Sequence, residues 1–260
     1  MPLLTDKCVL VTGVLTTDSL AYAVAERALA EGARVALSGF GRGRSLTARS
    51  ARRLGDVGEV IELDVTVPAD VEAAREELDR RFGRLDGLLH AIGYAPPDCL
   101  GHGMLVASPE DVGVALQVST YSLAALVRGL LPLLEVAGGD GGASVVGLDF
   151  DGSRAWPLYD WMGVAKTALE SLTRYLAKEV GPKGIRVNLV AAGPVRTIAA
   201  KSIPGFATFE DAWGDRAPLG WDVHDARPVG DAVVALFSDL LRRTTGHVLH
   251  VDGGVHALGM

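Results

Sequence analysis

Short runs of uninterrupted apolar and β-branched residues alternate along the chain with longer stretches in which apolar positions recur every three or four residues. The first run, 7–12 (KCVLVT), predicts a strand, and 20–30 follows at helical spacing until Glu31 and Gly32 stop it. Residues 33–38 (ARVALS) predict a second strand, 44–54 a basic helix, and 58–63 (GEVIEL) a third strand closed by Asp64. Pro68 opens a charged helix that runs to Phe82, and 87–92 (GLLHAI) predicts a fourth strand. A helix over 108–135 is entered through the capping pattern Ser108-Pro109-Glu110-Asp111. Residues 143–148 predict a fifth strand, 159–180 a helix ending at Gly181-Pro182, and 185–191 and 246–251 the sixth and seventh strands.

Strands separated by helical stretches need crossover connections, so the sheet should be parallel with helices on both faces. The runs VLVT, GLLHAI and ASVVGL are nearly continuous in apolar residues, as strands covered on both faces are, whereas a half-exposed sheet would alternate. The fold class is therefore α/β: one doubly wound, Rossmann-type domain over 1–260 with a seven-stranded parallel sheet. No linker or repeat divides the chain. The Gly-rich stretch 138–142 predicts a tight helix-to-strand connection, and 193–225 is the one long irregular segment, hence the expected substrate-binding loop.

Composition narrows the function. A chain of 260 residues, 48% apolar and 22% charged, can build a large core. Its 25 Lys and Arg against 32 Asp and Glu leave a net charge of -7, which argues against nucleic acid or an anionic membrane as partner. Cys8 and Cys99 have no neighbours at metal-ligand spacing, and the six histidines form no metal pattern, so no metal is expected. The reduced thiols and the lack of a signal-peptide pattern or a bilayer-length apolar run predict a cytoplasmic protein that neither crosses nor binds a membrane.

Open parallel sheets bind ligands beyond the carboxyl ends of their strands. The turn after the first strand, Thr12-Gly13-Val14-Leu15-Thr16-Thr17-Asp18-Ser19-Leu20-Ala21, leads into a helix whose free N–H groups and positive dipole end suit a pyrophosphate. Gly13 would let the backbone pass closely and Ser19 could add a hydroxyl; the plainer alternative is a turn capped by Asp18 or Ser19. Asp64 could accept from an adenine amino group or merely cap. The second strand ends Ser38-Gly39-Phe40-Gly41-Arg42, without the acid that grips an adenosine ribose, so NADH and NADPH both stay open. Phe40 could stack on adenine, and Arg42 and Arg44 could hold a phosphate.

Tyr159 and Lys166 stand seven residues apart. At ~100° per residue they share a helix face with an offset of about 20° and a rise of about 10 Å, with Met162 between. An ammonium there can bind ribose hydroxyls and favour a phenolate or a polarised phenol, making Tyr159 a donor to a substrate oxygen. A packed ring and a solvated amine are the alternative.

With these residues in place the chain resembles the enoyl-acyl-carrier-protein reductases, a divergent group of short-chain dehydrogenases, and within them the mycobacterial branch that serves mycolic acid synthesis. The resemblance covers essentially the whole chain. It is carried by Thr12-Gly13 with Ser19-Leu20-Ala21, Leu63-Asp64-Val65, His90-Ala91-Ile92-Gly93-Tyr94, Asp149-Phe150-Asp151, Tyr159 with Lys166, Ala192-Gly193-Pro194-Val195-Arg196-Thr197, and Val251-Asp252-Gly253-Gly254. Ordinary short-chain dehydrogenases separate the catalytic Tyr and Lys by one helical turn; position 163 here is Gly, so the two-turn spacing favours enoyl over ketone reduction.

The resemblance implies hydride transfer from NADH to C3 of a trans-2-enoyl thioester on acyl-carrier protein or CoA, followed by protonation at C2. It implies Tyr159, Lys166 and Phe150 as the catalytic set. Cofactor contacts are implied at Gly13, Ser19, Leu20, Phe40, Asp64, Val65, Ala91, Ile92, Gly93, Val118, Lys166, Val195 and Thr197. Tyr94, Phe150, Tyr159, Met162, Ile198 and Ile203 are the implied substrate contacts, and a homotetramer is the implied assembly. Within the loop, Ile198, Ile203, Phe206 and Phe209 are candidate lid residues, with plain packing or a subunit contact as the equal alternative. Two departures matter. Ala91 stands where the family commonly has Ser, removing a hydroxyl near the pyrophosphate, and 197–213 is shorter than the branch's substrate loop, which predicts short or medium acyl chains. Two other functions are compatible with the motifs: a specialised-metabolism reductase of an enone or carrier-bound polyketide, and a non-catalytic NAD(P)H sensor, against which the intact Tyr159 and Lys166 argue.

Overall fold

The apolar runs become parallel strands because each can bury side chains on both faces only between two helical layers. The computed structural model describes residues 2–138, 142–201 and 203–259; most of the connection expected at 138–142 lies outside them. Strands β1 (Cys8–Val11), β2 (Arg34–Gly39), β3 (Ile61–Glu62), β4 (Gly87–His90), β5 (Ala143–Asp149), β6 (Ile185–Ala192) and β7 (Val248–Val251) pair in the order β3-β2-β1-β4-β5-β6-β7. Every pairing is parallel. This is the doubly wound sheet expected from the sequence.

The period of two sorts each strand between two cores. Val9 and Val11 of β1 pack with α1 (Leu20–Ala30) and α9 (Arg227–Phe237), through Val24, Val233 and Phe237. Leu10 points the other way, into a cluster with α3 (Pro68–Phe82), α5 (Ser122–Val136) and α6 (Asp160–Val180), through Leu78, Leu126 and Leu169. Helix α2 (Gly41–Ala51) flanks β2.

Four elements differ from the sequence reading. The third strand shortens to two residues at the sheet edge. The long helix over 108–135 is divided into α4 (Pro109–Leu116), a π-helical turn at Gln117–Tyr121, and α5. The supposedly irregular stretch 193–225 contains α7 (Ile198–Lys201) and α8 (Phe206–Arg216), where Pro204 and Gly205 mask a helical spacing of Phe206, Phe209 and Trp213. Helix α9 falls where no element was expected, although Val229, Val233, Val234 and Phe237 carry its buried stripe. The continuous run Pro109–Val136 does reach the length and mean hydropathy of a bilayer span. Its apolar side packs on α3, β5 and α6.

Candidate active site

The strand order places β1 beside β4, and chain direction along the sheet reverses between them, opening a crevice at their carboxyl ends. Gly13, just past β1, has φ +80°, and a side chain there would overlap the carbonyl oxygen of Ala91, just past β4. The Thr12 hydroxyl ties these turns together, donating to the Leu89 carbonyl at 2.9 Å and accepting from the Ala91 N–H at 3.1 Å. Gly13→Ala is therefore expected to destabilise the fold by more than ~1 kcal/mol, since both the conformation and the space exclude a methyl group. Thermal unfolding checks this; a wild-type midpoint would show that the turn has room.

Ser19 caps α1, its hydroxyl accepting from the Tyr22 N–H at 3.3 Å and donating to the Thr16 carbonyl at 2.7 Å. The cap alternative is thus realised, while Leu20 opens the helix with N–H groups that have no intrahelical acceptor. The Thr16 hydroxyl oxygen in this same turn is buried without a partner.

Around the neighbouring strand ends, Phe40 is 54% exposed and precedes α2. One oxygen of Asp64 accepts from the Thr66 N–H at 2.9 Å and the Thr66 hydroxyl at 2.7 Å, which is capping behaviour. Val65 packs against the core beside it. Ile92 is partly buried, and Gly93 and Tyr94 are exposed past β4. The Ser119 hydroxyl accepts from the Tyr94 N–H at 2.9 Å and donates to its carbonyl at 2.8 Å. Val118 lies in the π-helical turn, its carbonyl accepting from the Ser122 hydroxyl at 2.6 Å. Ser122 Oγ in turn lies 2.7 Å from His90 Nε2. Past β6, Val195 is buried, the Thr197 hydroxyl accepts from the Ala200 N–H at 3.0 Å, and Arg196 is paired with Glu210.

Tyr159 occupies the N-cap of α6 rather than its first turn. Its neighbours Leu158 and Asp160 have φ of 60° and 38°, a left-handed geometry that is strained for non-glycine residues. Contacts around Asp160 hold the strain: its carboxylate accepts from the Gly101 and Gly103 N–H groups at 2.8 and 3.0 Å, and the Trp161 indole donates to the Met104 carbonyl at 3.0 Å. The phenol ring lies edge-on to Phe150 at 5.2 Å. Burial, and then the charge of Asp149, pushes the phenol up from its ordinary range and keeps it protonated. Of the two states open from the sequence, this environment favours the neutral donor over the phenolate.

Lys166 is 8% exposed. Its ammonium donates to the Leu148 carbonyl at 2.9 Å and lies 3.9 Å from Asp149 Oδ1. Burial pulls the amine down while Asp149 pulls it up. Asp149 is pushed up to about 7, burial outweighing the attraction of Lys166. His90 is held down to about 3 by burial and then by Lys166, so it is neutral. Both carboxylate oxygens of Asp149 and His90 Nδ1 are buried without hydrogen-bond partners. A solvated amine, the plainer sequence alternative, is excluded by this burial.

Met162, Tyr159 and Ala165 form one small cluster with Phe150, Trp156 and Ile203, while Ile198 stands 44% exposed on α7. Trp156 and Trp213 complete an aromatic box that sequence reading missed, and Phe209, for which a lid and plain packing were both open, packs inside it. Phe150 lies 5.2 Å from Trp156, 5.6 Å from Phe209 and 5.7 Å from Trp213. The only sequence signal was the concentration of Trp and Phe after position 149. Asp149 was legible as part of a motif but not as the partner of Lys166. Among the described residues no group of three His, Cys, Asp or Glu side chains is placed to hold a metal ion.

The sheet order and its crevice define a Rossmann-type α/β domain. The chain belongs to the enoyl-(acyl carrier protein) reductase family, whose pattern it matches over residues 13–256. It is 41% identical to the NADH enoyl-[acyl-carrier-protein] reductase of Mycolicibacterium smegmatis, with 97% of each chain covered. It is 37% identical to the corresponding enzyme of Aquifex aeolicus over 100% of this chain and 95% of that one. Against the Escherichia coli enzyme identity is 34%, covering 100% and 98%.

The residues present fit a dinucleotide. The crevice offers a glycine turn, a helix amino end and an unpartnered Thr16 hydroxyl at one end, and at the other an ammonium with a single hydrogen-bond acceptor beside an unpartnered carboxylate. These are the donors and acceptors that a pyrophosphate and a ribose diol would satisfy.

Proposed function

We propose that the protein is an NADH-dependent reductase of trans-2-enoyl thioesters carried on acyl-carrier protein or CoA. The observation that carries this reading is the buried Tyr159 and Lys166 on one helix start, with Phe150 against the phenol, at the carboxyl edge of the sheet. Bound in this crevice, NADH would supply the hydride for C3 of the substrate. Tyr159, protonated, donates to the thioester oxygen and stabilises the negative charge that develops there, and a proton from solvent at C2 then completes the saturated thioester. Lys166 holds the ribose nearest the reacting carbon, and Phe150 and Met162 shape an apolar, water-poor space that strengthens the Tyr159 hydrogen bond. Gly13, Ser19, Leu20, Ala91, Ile92, Gly93, Val118, Val195 and Thr197 line the cofactor crevice. Phe40, Asp64 and Val65 sit at its adenine end, and Tyr94, Ile198 and Ile203 border the acyl group.

The assay follows absorbance at 340 nm with NADH or NADPH and a C4 to C12 series of trans-2-enoyl thioesters. Turnover on simple enoyl thioesters supports the reading. Tight NADH binding without turnover would overturn it in favour of a specialised substrate or a sensor. Within the series, short and medium chains are expected to turn over best. Trp156, Phe209 and Trp213 pack around Phe150, the ring against Tyr159, and each methylene that finds no apolar contact forgoes about 0.8 kcal/mol. Rates that climb steadily into chains longer than these would contradict this expectation.

The reading places one domain over 1–260 in the cytoplasm, with 193–225 as its substrate segment, and neither nucleic acid nor membrane as partner. A homotetramer is the proposed assembly. Exposed Val114, Tyr121, Val164 and Tyr175 on and beside α4, α5 and α6 supply apolar surface for it. Light scattering should then give four times the chain mass of 27.2 kDa; a mass equal to one chain would reject it.

A further inference from the structure

In doubly wound folds an acid at the end of the second strand usually binds the adenosine ribose diol and repels a 2′-phosphate. None is present here, since β2 runs out through Gly39, Phe40 and Gly41 into a helix start bearing Arg42 and Arg44. By sequence alone that turn looks open to NADPH. The structure supplies an acid from the adjacent strand. Glu62 ends β3 in register with Gly39. Its Oε1 accepts from the Gly41 N–H at 2.9 Å, and its Oε2 lies 3.3 Å from Arg44 Nε. Arg44 is turned further toward the sheet edge, where Nε and Nη2 donate to the Val60 carbonyl at 3.1 and 3.0 Å. Nothing stands within 4 Å of where a Gly41 side chain would project, so a ribose could approach this backbone closely.

A 2′-phosphate would need donors and positive charge at this turn, and Glu62 occupies the Gly41 amide, neutralises the Arg44 guanidinium and adds a negative charge. We propose that Glu62 is the specificity-determining residue that restricts this site to NADH, acting from β3 in place of the missing β2 acid. A 2′-hydroxyl can donate to its carboxylate; a phosphate can only be repelled by it. The inference rests on the reading of the crevice as an NADH site.

The test is the dissociation constants of NADH and NADPH, read from cofactor fluorescence for wild type, Glu62→Gln, and Glu62→Gln combined with Arg44→Ala. Glutamine keeps the size and an oxygen for Gly41 but removes the charge. Wild type should bind NADH better than NADPH. Glu62→Gln should tighten NADPH about tenfold or more, because the repelling charge is gone and the positive charge of Arg44 is left without a carboxylate partner, with NADH unchanged or weaker, and the double variant should lose most of that gain. Equal NADPH affinity in wild type and Glu62→Gln, with NADH still bound, would overturn the inference and leave the NADH reading standing. Wild type that binds neither nucleotide would overturn both. Thermal midpoints accompany each titration, and Glu62, with 48% of its side chain exposed, is a site where the fold tolerates the change.

Discussion

Tyr159→Phe is expected to lower kcat/KM for a medium-chain trans-2-enoyl thioester by about 10²–10³-fold, the usual loss when one donor to a developing oxyanion is removed. The substitution deletes a single oxygen. The ring keeps its place against Phe150 and the rest of the aromatic box, so packing and cofactor affinity should hold. Burial and the neighbouring Asp149 raise the phenol far enough that it stays protonated throughout the assay range, and the loss is therefore that of a hydrogen-bond donor. Stopped-flow single turnovers at saturating NADH separate this effect from binding. A rate close to wild type in the Tyr159→Phe variant would remove Tyr159 from the chemistry and transfer the oxyanion role elsewhere in the crevice.

Lys166→Met should act on binding and on stability together. In the proposed mechanism its ammonium, which donates to the Leu148 carbonyl, also binds the ribose hydroxyls, and loss of one or two charge-assisted hydrogen bonds predicts NADH affinity lower by roughly 10- to 100-fold. The second effect comes through Asp149. Its folded-state value, about 7, already lies above the unfolded 3.8, so the folded protein binds more protons than the unfolded chain between those values. Stability from this group is fully present below the unfolded value and is lost as pH rises through the folded one. Removing Lys166 removes the attraction that holds Asp149 down, which extends the window to higher pH. The variant should thus lose stability across pH 7 to 9 more steeply than wild type, by up to about 1.4 kcal/mol per pH unit for one proton. Denaturant unfolding at several pH values checks this, and parallel pH dependences in the two proteins would show that Lys166 and Asp149 do not act as a pair.

Much of the architecture was legible because strand and helix periodicities are local. The runs at 7–12, 87–92 and 143–148 are mostly apolar without a clean polar alternation, as strands covered on both faces are, and the helical stretches between them call for parallel pairing. Tyr159 and Lys166 were legible for the same reason, since a separation of seven residues fixes a common helix face. Helices α8 and α9 were not read, although both have apolar spacing, because Pro and Gly at their starts resemble loop signals and their stability comes from contacts with distant residues. The break between α4 and α5 likewise reflects packing: the Thr120 hydroxyl of the π-helical turn donates to the Ala165 carbonyl of α6 at 2.8 Å, a partner 45 positions away.

The sequence by itself determined the parallel α/β layering, the glycine at the turn after the first strand, and a tyrosine and a lysine spaced to share one helix face. Tertiary structure alone decided their chemical state. Burial of Lys166 beside Asp149, the strained backbone flanking Tyr159, and the reach of Glu62 across from β3 to Gly41 all depend on which strands become neighbours. Strand neighbours are chosen by global packing, whereas periodicity records only each segment's own faces, and the field that sets a protonation state or a cofactor preference is summed over residues that packing brings together.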